Sequence, residues 1–496
     1  MGQLSSRRSK PSPGFLSRFT VLRGAVRELW IVLGVKLLAL FAYTVMNQTL
    51  VLWLSSDLGY SDTDAGYMVM GWSALLSLFT VLVGSFTDAI GLRRTFLLGM
   101  SVCIVARVVM TATAMKGVAL GIGLLPLAMG EALTGPVLVA AIRRYSTTAQ
   151  RSIAFSLFYA MMNVGILCGN LVFDYVRKDL GEHSGLTLPV LGVHLSTYRT
   201  LFLVSALLSL PNLLILYFFL REGVDVTDEG VRISPPKPHP AEPRMVRRMA
   251  LTVRDALRDT VRIFRGLWRH PGFYHFLLFL ALASCLRLVM AQMYYTYPKF
   301  GIRELGPGAP VGRLWAVNQF LIIFLVPVVG AVSQKIPAYR MVVCGTFIAA
   351  ASLFIMAMPP PWFQSLADGG LGNLIAHRWL AVEGQVNPYY VMILLFVVMF
   401  SVGEAIYSPR LYEYAASIAP KGQEASYSAL SFLPFFLAKI FVGMFSGRML
   451  AAYCPAEGPR HSETLWLIIA LTAAVAPVGL LTLRRFIRVH EAGRTA

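Results

Sequence analysis

The chain has 496 residues, of which 56% are hydrophobic and only 14% charged, with a net charge of +19 and a mean hydropathy of +0.63. Soluble domains carry about 25% charged residues, so a soluble globular protein is excluded, and the apolar content excludes a disordered one. What remains is a polytopic membrane protein with room for about a dozen spans of about 20 residues each.

Residues 1–28 form a basic, polar, cytoplasmic tail with no cleavable signal pattern. Its start, Met1-Gly2 to Ser6, fits a myristoylation pattern, although a plain solvated tail accounts for it more simply. Apolar runs then predict twelve spans, at 29–54, 65–87, 95–115, 118–142, 152–173, 199–220, 272–296, 314–333, 340–358, 388–409, 426–450 and 463–483. They divide the chain into an amino-terminal six-helix half (29–220), a cytoplasmic linker (221–271), a carboxy-terminal six-helix half (272–483) and a cytoplasmic tail (484–496). With both termini inside, inner segments hold 29 Lys and Arg and outer segments 8. The positive-inside rule therefore places both termini in the cytoplasm, of a bacterial inner membrane or a eukaryotic plasma or organelle membrane. That charge bias also makes nucleic acid an unneeded partner.

The linker opens with a proline-rich spacer, Ser234 to Pro243, which cannot be helical. Over 244–268, apolar residues recur at three- and four-residue steps while arginines fill the opposite face. This predicts a basic amphipathic helix on anionic lipid, with a calmodulin-type target or a plain connector as the other readings. Cys103, Cys168, Cys285 and Cys344 fall within spans and Cys454 in an outer loop, so neither a disulfide framework nor a zinc pattern is present. No nucleotide loop, metal motif or nucleophile elbow occurs, so no cofactor is expected and an enzyme is the weakest reading.

Two segments repeat. Gly84 to Gly99 and Gly330 to Gly345 each run glycine to glycine over the same spacing, at an offset of 246 residues. Gly130-Glu131-Ala132-Leu133-Thr134-Gly135-Pro136 matches Gly403-Glu404-Ala405-Ile406-Tyr407-Ser408-Pro409 at an offset of 273. The difference falls in a longer outer loop of the second half, around 359–387, rich in Pro and Gly. The chain thus reads as an internal duplication of parallel halves.

This organisation resembles the major facilitator superfamily over nearly the whole chain. Gly84, Asp88, Gly91, Arg93 and Arg94 are similar to its signature between the second and third spans, and the resemblance implies a gating loop there. Phe158-Tyr159, Asn163, Gly165 and Leu167 resemble the fifth-span signature FYxxINxGSL of the proton-coupled oligopeptide transporter branch. Gly403-Glu404 to Ser408-Pro409 resembles that branch's tenth span, where a glutamate faces the substrate amine. The first-span ExxER motif of the branch is missing: 29–54 holds no acid and one cation, Lys36. The resemblance implies an all-α integral membrane fold of twelve helices in two pseudo-symmetric halves, with the first, fourth, seventh and tenth spans lining a cavity.

A charge at the bilayer centre costs several kcal/mol, so each intramembrane ionisable group is a candidate site. Lys36, Arg107, Glu131, Arg287, Glu404 and Lys439 lie within spans. Glu131 and Glu404 occupy matching repeat positions, one acid per half, and together with Arg107, Lys439 and Lys36 are the candidate proton or ion-pair relay. Each also admits a static role, in helix packing or, for Lys36, by snorkelling to the membrane surface. Glu404 and Arg287 would clamp the charged ends of a solute, with Asn163, Tyr159, Gln292 and Tyr43 as further substrate-binding candidates. Tyr294 and Tyr295 fit either the cavity or an interfacial belt. Gly117-xxx-Gly121 and Gly443-xxx-Gly447 read as close-packing faces. The expected function is a monomeric secondary transporter of a small polar or zwitterionic, peptide-like solute, moved with protons by alternating access. The alternatives are a uniporter, a proton-antiporting exporter of amphiphiles, or a non-transporting sensor on the same fold.

Overall fold

In the computed structural model the described residues are 22–182, 184–188, 192–233, 271–333, 336–417 and 433–487. Most of the basic tail with Gly2, the proline-rich spacer, the 244–268 segment and the last nine residues lie outside them. Among the described residues, twelve helices of 19 residues or more run in sequence. They are α1 (Arg27–Ser56), α2 (Asp62–Ile90), α3 (Leu92–Ala112), α4 (Lys116–Arg144), α5 (Thr148–Leu180) and α6 (Thr197–Phe219). In the second half they are α7 (Pro271–Tyr295), α8 (Val311–Val332), α9 (Ala338–Met356), α10 (Pro388–Ser417), α11 (Leu433–Tyr453) and α12 (Ser462–Thr482). Ten of these hold segments long and apolar enough to cross a membrane, as a helix must when no water is at hand to satisfy its backbone. In α11 the apolar stretch is shorter, Ile440–Tyr453.

Local chemistry sets the boundaries. Gly91 takes φ +92°, which closes α2 and lets α3 start at the next residue. Ser61 and Ser196 cap α2 and α6 by accepting from the amides of Asp64 and Arg199, both at 3.1 Å. Thr147 and Gln150 form a reciprocal capping box at the start of α5. Through Ala119–Leu124, α4 widens to a π-helix.

Helices alternate between two ends of the bundle. The near end carries Arg27, Phe219 and the 484–487 turn; the far end carries Ser56, Leu180 and Tyr453. A far-end hairpin pairs Leu186–Leu188 with Val193–Leu195, and a near-end hairpin pairs Val224–Thr227 with Gly230–Ile233 at the opening of the linker. Neither hairpin is foreseen from the sequence. The far-end 359–387 insertion contains short helical turns, Pro360–Phe363, Gln364–Ala367, Gly370–Gly372 and Asn373–Trp379.

The glycine repeat is a packing repeat. A Cβ on Gly130 would lie 3.0 Å from the carbonyl oxygen of Gly99, and one on Gly403 would lie 2.8 Å from that of Gly345. So α3 crosses α4, and α9 crosses α10, at equivalent glycines. The halves meet along two seams, α2 with α11 and α5 with α8. Gly443 and Gly447 lie against Met70 and Asp62, and Gly312 against Asn170 and Asp174, close approaches that only small residues permit. The expectation for Gly117-xxx-Gly121 is corrected: nothing lies within 4 Å of a Cβ at either position. Gly123, against Met110, makes the close contact instead.

Candidate functional site

The two glycine crossings deliver the two acids, because Glu131 and Glu404 each follow the crossing glycine of α4 and α10. In the first half Arg107 of α3, only 2% exposed, forms a short ion pair with Glu131 and donates to Ser209 Oγ of α6 at 2.5 Å. Cys103 Sγ donates to the same carboxylate at 3.7 Å. Lys36 of α1 is buried, with its Nζ 4.5 Å from the ring centre of Phe158, and lies near enough to interact electrostatically with Glu131. Seven residues on, Tyr43 is near enough to Glu131 and Arg107 to feel both charges.

In the second half Glu404 is buried and accepts from Asn318 Nδ2 of α8 at 2.9 Å. Arg287 and Tyr294, both on α7, interact with it electrostatically. Tyr294 also interacts electrostatically with Tyr43 of α1, so the surroundings of the two acids lie within electrostatic reach of each other. The acids repeat but their partners do not. At the 246-residue offset Arg107 corresponds to Leu353 and Asn318 to Trp72. One acid is neutralised by an arginine; the other is held by an amide.

The remaining candidates divide. Asn163 is buried but donates to its own helix, to the Tyr159 carbonyl at 2.9 Å. Gln292 accepts from Thr296 at the break after α7, and Tyr295 lies 3.5 Å from Ser73 across the halves. In the α2–α3 loop, expected from the resemblance to gate, Arg93 donates to the Tyr217 carbonyl at 2.6 Å and Arg94 pairs with Glu222 at 3.3 Å. Both tie the α2–α3 turn to the end of α6 within the first half. Gly84 and the side chains of Asp88 and Lys439 lie outside the described residues.

Sequence reasoning misses two groups. One is a row of buried amides, Gln48, Asn170, Gln319 and Asn318, leading from α1 to Glu404. The other closes the far end. Asp62 of α2 accepts from Lys299 at 2.7 Å and Arg303 at 3.0 Å, on the short helix Tyr297–Leu305 after α7. Asp174 accepts from the backbone amides of Gly312 at 2.9 Å and Arg313 at 2.5 Å. Arg177 pairs with Glu182 at 2.5 Å and donates to the Ala309 carbonyl at 3.1 Å, while Gly308 N–H donates to Glu182 at 3.1 Å. Burial pushes the Glu182 carboxyl up, but Arg177 with its hydrogen bonds outweighs it and holds the group below the usual range. Burial pulls the Lys299 ammonium below its usual value against the opposing pull of Asp62. The signal for this group is acids paired with cations at span ends, which a topology census counts only as loop charge.

This architecture places charges of both signs between two packed halves. The family model of the Major Facilitator Superfamily matches residues 32–382. The chain belongs to the Major Facilitator Superfamily. Like other members it is a multi-pass integral membrane transporter, and neither the family nor the fold is that of an enzyme. Among solved structures it is similar to a POT family transporter in complex with 5-aminolevulinic acid (TM-score 0.68, 16% identity, 93% of this chain and 97% of that one). A structure concerning substrate recognition in proton dependent oligopeptide transporters matches with TM-score 0.63 at 17% identity, covering 93% and 99%. The peptide transporter POT in complex with sulfate matches with TM-score 0.64 at 15% identity, covering 94% and 96%. At such identities these likenesses speak for the superfamily fold and a distant resemblance to that branch.

Proposed function

We propose that the protein is a proton-coupled secondary transporter of a small zwitterionic or polar organic solute, peptide-like compounds included. It works by alternating access with both termini in the cytoplasm. The observation that carries this reading is the asymmetry of the repeated acids. Glu131 has a full ionic partner in Arg107, so it serves the internal cohesion of its half. Glu404 is held by Asn318, a neutral donor, with Arg287 near by, and is the carboxylate free to exchange a proton or to receive a solute ammonium. Arg287 and Lys36 supply cations for an acidic solute group. The similar transporter that binds 5-aminolevulinic acid, itself an amino acid, supports a solute with that charge pattern. The far-end bonds describe a state closed on that side.

The test uses sealed proteoliposomes with a trapped pH dye, challenged with di- and tripeptides, amino acids and organic anions. Acidification of the lumen by one solute class, lost by about tenfold or more in Glu404→Gln at equal expression, is the expected result. Unchanged flux in that variant overturns the role of Glu404. One observation favours a second reading: between Leu29 and Ser56, α1 carries no acid. Radiotracer uptake without any pH change would make the protein a uniporter.

A further inference from the structure

The buried amides form a chain with one polarity. Gln48 Nε2 donates to Asn170 Oδ1 at 2.9 Å, and Asn170 Nδ2 to Gln319 Oε1 at 3.2 Å. Gln319 Nε2 then donates to Asn318 Oδ1 at 2.8 Å, and Asn318 Nδ2 to Glu404 Oε2 at 2.9 Å and Ser401 Oγ at 3.0 Å. All four amides are buried. The Asn170–Gln319 bond crosses from the first half to the second and is the longest of the chain. Gly312 lies against the Asn170 carbonyl, and one turn beyond, Asp174 accepts the two backbone amides that start α8. The chain therefore begins at the candidate solute site and reaches the seam that shuts the far end.

An ionised carboxylate only accepts hydrogen bonds, whereas an amide accepts at oxygen and donates at nitrogen. Charge on Glu404 thus fixes the orientation of Asn318, which fixes that of Gln319, and so on to Gln48. We propose that Asn318, Gln319, Asn170 and Gln48 are positioning residues that carry the state of Glu404 to the α5–α8 seam. A proton from water on Glu404 Oε2 makes that oxygen a donor. The neutral acid accepts more weakly and has an O–H to place, which favours Asn318 with its oxygen turned to the acid; Gln319 Nε2 then loses its acceptor, and each link follows or stays unpaired in a buried place. Gln48 Oε1, without a partner in the present polarity, is the acceptor the reversed chain ends on. Each polarity leaves one end atom of Gln48 unpaired, Oε1 in the present one and Nε2 in the reversed one, and passage between them breaks the bond between the halves. A solute ammonium on Glu404 competes with Asn318 in the same way.

Among the described residues, few other groups bear on Glu404. From α7 it meets the charge of Arg287 and the phenol of Tyr294, and from α8 the amide of Asn318. On α9, packed through Gly345, Tyr339 and Arg340 lie at the near-end start and Cys344 is exposed.

The inference rests on the proton-coupled reading of Glu404, and its test separates the two. Ala309, buried at the far-end closure, is replaced in a protein whose natural cysteines are serine (Ala309→Cys), and its reaction with a membrane-impermeant maleimide, divided at each pH by that of the same cysteine in the unfolded chain because the thiolate is the reacting form, reports opening. In this parent, labelling at mildly acidic pH is expected to exceed that at mildly alkaline pH several-fold, and Glu404→Gln to hold it at one value. Adding Gln319→Leu is expected to abolish the pH difference while leaving radiolabelled solute bound. Gln48→Met, remote from Glu404, supplies the same reading if the first variant misfolds. A pH difference retained in both variants overturns the relay alone. Labelling and transport that ignore pH in the parent overturn the coupled reading and the relay together.

Discussion

Arg107 and Glu131 show how an intramembrane charge is made tolerable. Arg107 is buried and Glu131 half-buried, each is the other's counterion, and Ser209 takes a further guanidinium N–H. Removing one partner leaves the other without its main countercharge in a poorly hydrated place, at a cost of about 3–5 kcal/mol. Arg107→Met is therefore expected to lower the unfolding midpoint in detergent sharply, and Arg107→Met with Glu131→Leu to recover most of it. A double variant as unstable as the single one would show that the pair is not the unit of stability. Glu182 gives a pH dependence at the same scale. Its carboxyl is held below the ordinary value of 4.5 by Arg177, with Tyr198 and the Gly308 amide as further donors. The sign follows: stability from this group is complete above pH 4.5 and fades as pH falls through the lower native value. Glu182→Gln is expected to be less stable at neutral pH and to lose less on acidification. Parallel acid-unfolding curves for the two proteins would contradict this.

At the scale of the element, the crossing glycines position the site. A Cβ on Gly403 would come within 2.6 Å of the Ala349 amide nitrogen and 2.8 Å of its Cβ, so Gly403→Ala must push α9 from α10 and displace Glu404. The expected cost is about 1–3 kcal/mol together with lost solute binding. Gly117→Ala and Gly121→Ala, with open space around them, are expected to stay within about 0.5 kcal/mol of the parent. Thermal midpoints of the three variants, with solute binding to Gly403→Ala, decide this. The same contrast explains what the sequence makes legible. Glycines and acids recurring at fixed offsets stand out, because backbone crossing and intramembrane charge each admit few residue types. The packing at Gly117 is misread because spacing alone does not say whether a partner helix is opposite. The amide chain escapes notice because Gln48, Asn170, Gln319 and Asn318 carry no charge, and their partners lie on other helices. The hairpins, with strands of three or four residues, are too short for alternation to register.

For the whole molecule, the question is what holds two halves shut at one end yet lets them part. The α2–α11 seam packs backbone to backbone at Gly443 and Gly447, and the α5–α8 seam at Gly312. Such contacts slide or separate without exposing large side chains. Polarity closes the far end instead. Among the described residues Asp62 is the acid that faces both Lys299, which is buried in this state, and Arg303, which is half-buried. When the halves part, those cations return to water, so the carboxylate matters chiefly to the closed state. Asp62→Asn removes the shared countercharge and leaves a buried and a half-buried cation repelling each other. If that costs about 2–3 kcal/mol in the closed state, the ratio of closed to open falls by about 30- to 150-fold. Spin labels on exposed Thr187 of the first half and Glu457 of the second straddle this end. Their distance distribution in lipid nanodiscs is expected to shift from one short population to a longer one in Asp62→Asn, and solute uptake to slow because the return to closure is penalised. An unchanged distribution would mean that the glycine seams and the Asp174–Arg313 contacts close this end by themselves, leaving Asp62 to anchor the short helix.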